Sequence, residues 1–139
     1  STAGNGTFEA RLNKGGTELS YTLSYAGPFN ATGTPSNVTQ SHIHFGGPAF
    51  SGGISAFLCT NLGNGPAGTP ACPPTSGTVS GVITSSSVVG PAGQGIAAGE
   101  FAELVRALRA GAAYANIHTV AVPPGEIRGQ ISGNGKGDD

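Results

Sequence analysis

The sequence predicts an all-β fold: a two-sheet antiparallel, Greek-key-like sandwich of about seven or more strands, with one helix in a connection. Three observations lead there. Short segments alternate apolar and polar residues with period two, the mark of a half-buried strand. Between them lie stretches dense in the 25 glycines and 10 prolines of a 139-residue chain, which punctuate regular structure. Only one segment carries the helical period of 3.6.

Residues 7–12 open the series, with Phe8, Ala10 and Leu12 on one face and Glu9 and Arg11 on the other. In residues 18–25 the apolar set is Leu19, Tyr21, Leu23 and Tyr25, and Lys14-Gly15-Gly16 reads as the hairpin turn between the two strands. Residues 27–37 are loop. Residues 38–45 form a third strand ended by Gly46-Gly47-Pro48, residues 54–59 a short fourth, and residues 77–84 a fifth whose phase breaks at Val82-Ile83. Residues 85–97 read as a polar, glycine-rich connection. Phe101, Leu104, Val105 and Leu108 then fall at i, i+3, i+4 and i+7, which predicts a helix over 100–110. Glu100 and Glu103 at its start and Arg106 and Arg109 near its end complement the helix dipole. Gly111 is placed to terminate it in a left-handed conformation. Residues 114–120 and 126–132, joined by Pro123-Pro124-Gly125, complete the strands. Residues 1–133 read as one domain and 134–139 as a polar, flexible tail.

Charge excludes some partners. Six Lys and Arg stand against seven Asp and Glu, so no basic patch exists to neutralise a run of phosphates, and nucleic-acid binding is excluded. No apolar run approaches the ~20 residues of a membrane span. Ser1 in place of Met, with no apolar leader, suggests a processed, mature chain. Cys59 and Cys72 flank a stretch full of glycine and proline. An even pair in a charge-poor, Ser/Thr/Gly-rich chain fits a disulfide formed in an oxidising compartment, where such a loop contributes roughly 3 kcal/mol. Two reduced, unrelated thiols are the alternative.

The chemistry lies in three histidines. His42 and His44 alternate with Ile43 and Phe45 on one strand, and Asn116 and His118 alternate with Ala115 and Ile117 on another. In the last strand Ile127, Gly129 and Ile131 oppose Glu126, Arg128 and Gln130. If the apolar sets face the core, the histidines and Arg128 stand on outer faces. An HxH strand pair with a distant histidine is a common way to hold copper or zinc, because imidazole suits both. The affinity order of nitrogen sites favours copper, with zinc second. Arg128, Glu126 and Asn116 are expected around such a site, and binding should weaken as pH falls through the imidazole range near ~6.5. The competing reading is three surface or hydrogen-bonding histidines that tie strands to loops through backbone carbonyls. Glu126 and Arg128 read either as an acid with a positioning arginine or as a solvated ion pair worth under about 1 kcal/mol. A Ser-His-Asp set is excluded, since the only aspartates are Asp138 and Asp139 in the tail.

Phe8 to Leu12, Leu19 to Tyr25, the His42-Ile43-His44 segment, the tract from Ala110 to Thr119 and the tract from Pro124 to Ile131 together resemble a CHRD domain, named from chordin. The resemblance covers about residues 6–133. It implies a secreted β-sandwich, extracellular or periplasmic, and no settled activity. The HxH segment, the later histidine, the cysteine pair and an arginine also resemble copper–zinc superoxide dismutase. That likeness implies His42, His44 and His118 as copper ligands with Arg128 nearby. Three histidines cannot furnish that family's two-metal cluster, so one ion is the most this chain supplies.

Two functions follow. One is a secreted protein that binds a single copper ion through His42, His44 and His118, for copper handling or for redox chemistry on a small oxidant. The other is an extracellular matrix, adhesion or surface-assembly module with structural histidines, whose partners are copies of itself or matrix components. Whether the chain is an enzyme stays open.

Overall fold

Seven strands and one helix appear in the computed structural model, which describes residues 1–132. The tail expected at 134–139 lies outside the described residues. The strands are β1 (Asn5–Leu12), β2 (Leu19–Ala26), β3 (Val38–Phe45), β4 (Ile54–Thr60), β5 (Ser76–Ile83), β6 (Ala113–Thr119) and β7 (Ile127–Ile131). The helix, α1 (Phe101–Arg109), lies between β5 and β6. Two sheets result, a three-stranded one in the order β1-β2-β5 and a four-stranded one in the order β4-β3-β6-β7. Every pairing is antiparallel.

The alternation sets which side chains meet between the sheets. Leu19, Tyr21, Leu23 and Tyr25 of β2 are all buried, facing a cluster that holds Ile43, Leu58 and Ile117 of the other sheet. The two tyrosines pack in the core because their hydroxyls find acceptors: Tyr21 donates to the Leu58 carbonyl at 2.6 Å and Tyr25 to the Pro73 carbonyl. Tyr21 also explains a glycine in β5. Gly81 pairs with Tyr21, and a Cβ there would stand 2.6 Å from its hydroxyl oxygen. That leaves Val79 and Ile83 as the buried set of β5, with Val82 half exposed on the other face. The β1–β2 turn is held by Asn13, whose side-chain oxygen accepts from the Thr17 and Glu18 amides.

A disulfide between Cys59 and Cys72 ties the end of β4 to the segment leading into β5. The connection 85–97 differs from expectation. It contains two short 3-10 turns, Ser85–Ser87 and Ala92–Gln94, and it buries Val88 and Ile96 against the core. Two isolated apolar residues among polar ones carry no periodicity, so the pattern could not announce them. No helix among the described residues is long and apolar enough to cross a membrane.

The helix forms one residue shorter at each end than expected and packs as its spacing requires. Phe101, Leu104 and Leu108 are buried together with Ala107, whereas Val105 is only half buried. Gly111 at φ +70° donates to the Leu108 carbonyl and ends the helix. Leu104 is fully buried. Replacing it with alanine should cost about 2–5 kcal/mol in denaturant unfolding, while Val105→Ala should cost less. A cost under ~0.5 kcal/mol for Leu104→Ala would place the helix apart from the core.

Candidate metal centre

Strand register assembles the site. In the β3–β6 pair Gln40 lies opposite His118, His42 opposite Asn116 and His44 opposite Tyr114. In the β6–β7 pair Asn116 lies opposite Arg128 and Tyr114 opposite Gln130. All eight residues therefore share the face of the four-stranded sheet that points away from the sheet–sheet core. Ile43, Ala115 and Ile117 take the core face, as the alternation requires.

The expectation of surface histidines is corrected in one respect: the face is right, but it is covered. His42 is 1% exposed, His44 8% and His118 6%. Three irregular segments cross over them. Residues 46–53 are pinned by Arg128, which donates to the Phe50 and Gly47 carbonyls, and by Gln130, which donates to the Gly46 carbonyl. The Tyr114 hydroxyl accepts from the Gly52 amide at 2.9 Å. Residues 120–126 bring the Pro123 carbonyl to His118, and residues 61–64 bring Asn64 to Gln40. Phe57 of β4 closes the remaining side, its ring edge-on to His42 at 4.4 Å.

The hydrogen bonds fix each ring. His44 Nδ1–H donates to the Gly52 carbonyl at 2.9 Å and His118 Nδ1–H to the Pro123 carbonyl at 2.7 Å. Carbonyls only accept, so these nitrogens carry the protons. Gln40 Oε1 accepts from Asn64 and from His42 Nε2–H, each at 3.0 Å. The bare nitrogens are then His42 Nδ1, His44 Nε2 and His118 Nε2. His42 Nδ1 stands 3.1 Å from His118 Nε2, lone pair to lone pair when both rings are neutral. His44 Nε2 has no hydrogen-bond partner at all.

This arrangement fits a metal. One nitrogen of each ring lies within 4.8 Å of the other two. A spacing of 3.1 Å matches two ligands at 2.0–2.1 Å that subtend roughly 100° at one ion. Two nitrogens on one ion stand about 3.3 Å apart at a tetrahedral angle and about 4.1 Å apart at most, so the widest spacing must close by roughly 0.7–1.5 Å as the rings turn onto the ion. Each ligand ring already donates its other N–H to a fixed acceptor, the arrangement that orients imidazole ligands and raises their basicity.

Electrostatics keep the rings in ligand form. Burial, followed by repulsion from His118 and His44, pushes His42 down to about 3. Burial also lowers His44, aided by His118 and Arg128; the Gly52 carbonyl and the neighbouring Asn116 amide pull the other way. Burial lowers His118 against the pull of the Pro123 carbonyl. All three are neutral at pH 7.

The residues expected around the ligands divide. Asn116 lies beside them, 6% exposed, with a side-chain oxygen that has no hydrogen-bond partner. Arg128 is close but committed: besides its two carbonyl acceptors, its guanidinium carbon lies 3.4 Å over the Tyr114 ring. Tyr114 in turn stacks on His44 at 5.0 Å, with 8° between the planes. Glu126 serves the fold, accepting from Thr119 Oγ1 and the Ala31 amide. Among the described residues it makes no ion pair with Arg128. Gln40, Phe57, Tyr114 and the covering carbonyls were missed. A signal existed for Gln40 and Tyr114, which continue the period-two faces of His42 and His118. A cavity of about 640 Å³ opens between the sheets beside β1 and β7, and no histidine lines it.

Fold and site together define a disulfide-bonded antiparallel β-sandwich with a buried, neutral three-histidine cluster outside its four-stranded sheet. The chain belongs to the CHRD family: the family model of the CHRD domain matches residues 1–131. No curated protein and no solved structure matches it.

The lowered imidazoles set a pH dependence. The unfolded chain takes up protons near pH ~6.5, whereas the folded cluster resists them down to lower pH, to about 3 for His42. The unfolded state thus binds more protons in that window, and stability of the metal-free protein falls as pH drops from ~6.5 towards 3. Unfolding midpoints measured across this range should show the slope, and His42→Phe should flatten it. A profile unchanged by that substitution would deny the cluster its neutral state.

Proposed function

We propose that this CHRD protein binds one copper ion through His42 Nδ1, His44 Nε2 and His118 Nε2. It does so outside the cell or in the periplasm, for copper handling or redox chemistry on a small oxidant. One observation carries the reading: three bare nitrogens of buried, neutral rings converge, while the opposite nitrogen of each ring is occupied by a protein acceptor. Tying loops to strands accounts for the outer nitrogens alone. It gives no reason for lone pairs to face each other at 3.1 Å.

The donor set supports copper over zinc by the affinity order for nitrogen sites. No carboxylate or thiolate joins the group among the described residues. The likeness to copper–zinc superoxide dismutase therefore extends to a single-ion site only. The disulfide and the extracellular habit of CHRD domains support secretion. The matrix or assembly reading draws on the His44 and His118 bonds to loop carbonyls, and it requires no metal.

Titration of Cu(II) into the tag-free protein should give one equivalent and an electron paramagnetic resonance spectrum with three nitrogens. Gln40→Leu should weaken binding about 10–100-fold by releasing His42, and His118→Ala should weaken it further. Because the folded rings resist protons, affinity should hold through pH ~6.5 and decline only at lower pH, later than free imidazole would dictate. Equal affinity in wild type and His118→Ala would leave the structural reading in place.

A further inference from the structure

We infer that Asn116 Oδ1 is the acceptor that holds a neutral, hydrogen-donating ligand, such as water, on the open position of the bound copper ion. The inference rests on the copper reading above and specifies what the fourth position prefers. Asn116 lies opposite His42 and two residues from His118, on the same face. It is 94% buried, the complement of its 6% exposure. Its Nδ2 turns towards the backbone of the 120–126 segment: a Cβ on Gly125 would lie 3.3 Å from that nitrogen and 3.9 Å from the His118 ring. The Asn116 side chain also acts on the His44 imidazole. Beside the facing nitrogens of His42 and His118, three buried side-chain polar atoms among the described residues lack a hydrogen bond. They are His44 Nε2, Asn116 Oδ1 and Ser55 Oγ, the first two on residues of this face. Burying a polar atom without a partner is costly, so two such atoms on the histidine face mark where a ligand completes the site.

An ion on the histidines satisfies His44 Nε2 and leaves Oδ1, which only accepts. A ligand that donates a proton suits it, and a bare anion does not. Arg128, the cation that an anion would seek, is already engaged by the Gly47 and Phe50 carbonyls and the Tyr114 ring.

The probe is azide added to the Cu(II)-loaded protein, followed by its charge-transfer band. Asn116→Leu removes the acceptor, so azide should bind about three- to tenfold more tightly, the worth of one neutral hydrogen bond. Asn116→Asp keeps an acceptor and adds negative charge, so azide should bind more weakly than to wild type. Arg128→Gln should change azide affinity less than Asn116→Leu does. Thermal melts and Cu(II) affinity of each variant report whether the site is intact. Azide affinity within twofold of wild type in both Asn116 variants, with a normal three-nitrogen spectrum, would overturn this inference alone. A wild type without that spectrum would overturn the copper reading and this inference with it.

Discussion

The pairing of β3 with β6 is the constraint on which the site depends. A slip of one residue in either strand would turn every side chain of that strand to the opposite face. Ile43 and Ile117 would leave the core and the histidines would enter it. The apolar residues therefore enforce the register, and the histidines are placed as a consequence. Two further bonds hold the pair from the side: Ser41 Oγ donates to the Asn116 carbonyl and Thr39 Oγ1 to the His118 carbonyl.

Much of this was legible in the sequence. Strand existence, the hairpin turn, the helix and its glycine terminator all rest on local pattern, and local pattern is what a single sequence displays. The face of each histidine followed by the same logic. Burial did not, because it depends on where glycine-rich segments travel. Residues 46–53 carry no periodicity, and their path is set by Arg128 and Gln130, two strands away from β3. Val88 and Ile96 were missed for the same reason. The roles of Arg128 and Glu126 needed long-range contacts as well, since each chooses a partner more than two strands' length away in sequence.

Arg128, Tyr114 and His44 form a stack that runs across three neighbouring strands, from β7 through β6 to β3. Its ends meet the same covering segment, because Arg128 and His44 both bond carbonyls of residues 46–53. The stack therefore couples the edge strand to one ligand of the cluster. A guanidinium over an aromatic face gains from the ring quadrupole, and more so when partly dry. Here that gain keeps a positive charge near the histidines without directing its N–H groups at them, which helps hold His44 neutral.

A polar layer beneath loops is an expensive structure unless its hydrogen bonds are complete. In this layer Gln40, Tyr114, Arg128 and Gln130 all have partners, as do the outer nitrogens of the three rings. The incompleteness gathers at the centre, with facing lone pairs on His42 and His118 and unpartnered atoms on His44 and Asn116, while Ser55 Oγ of β4 is unpartnered as well. A core that served stability alone would place apolar groups there, since replacing both partners of a buried polar contact by apolar ones is near neutral or stabilising. Complete bonding around an incomplete centre is what a preorganised site requires: the periphery fixes the rings, and the unmet lone pairs make ligand binding favourable.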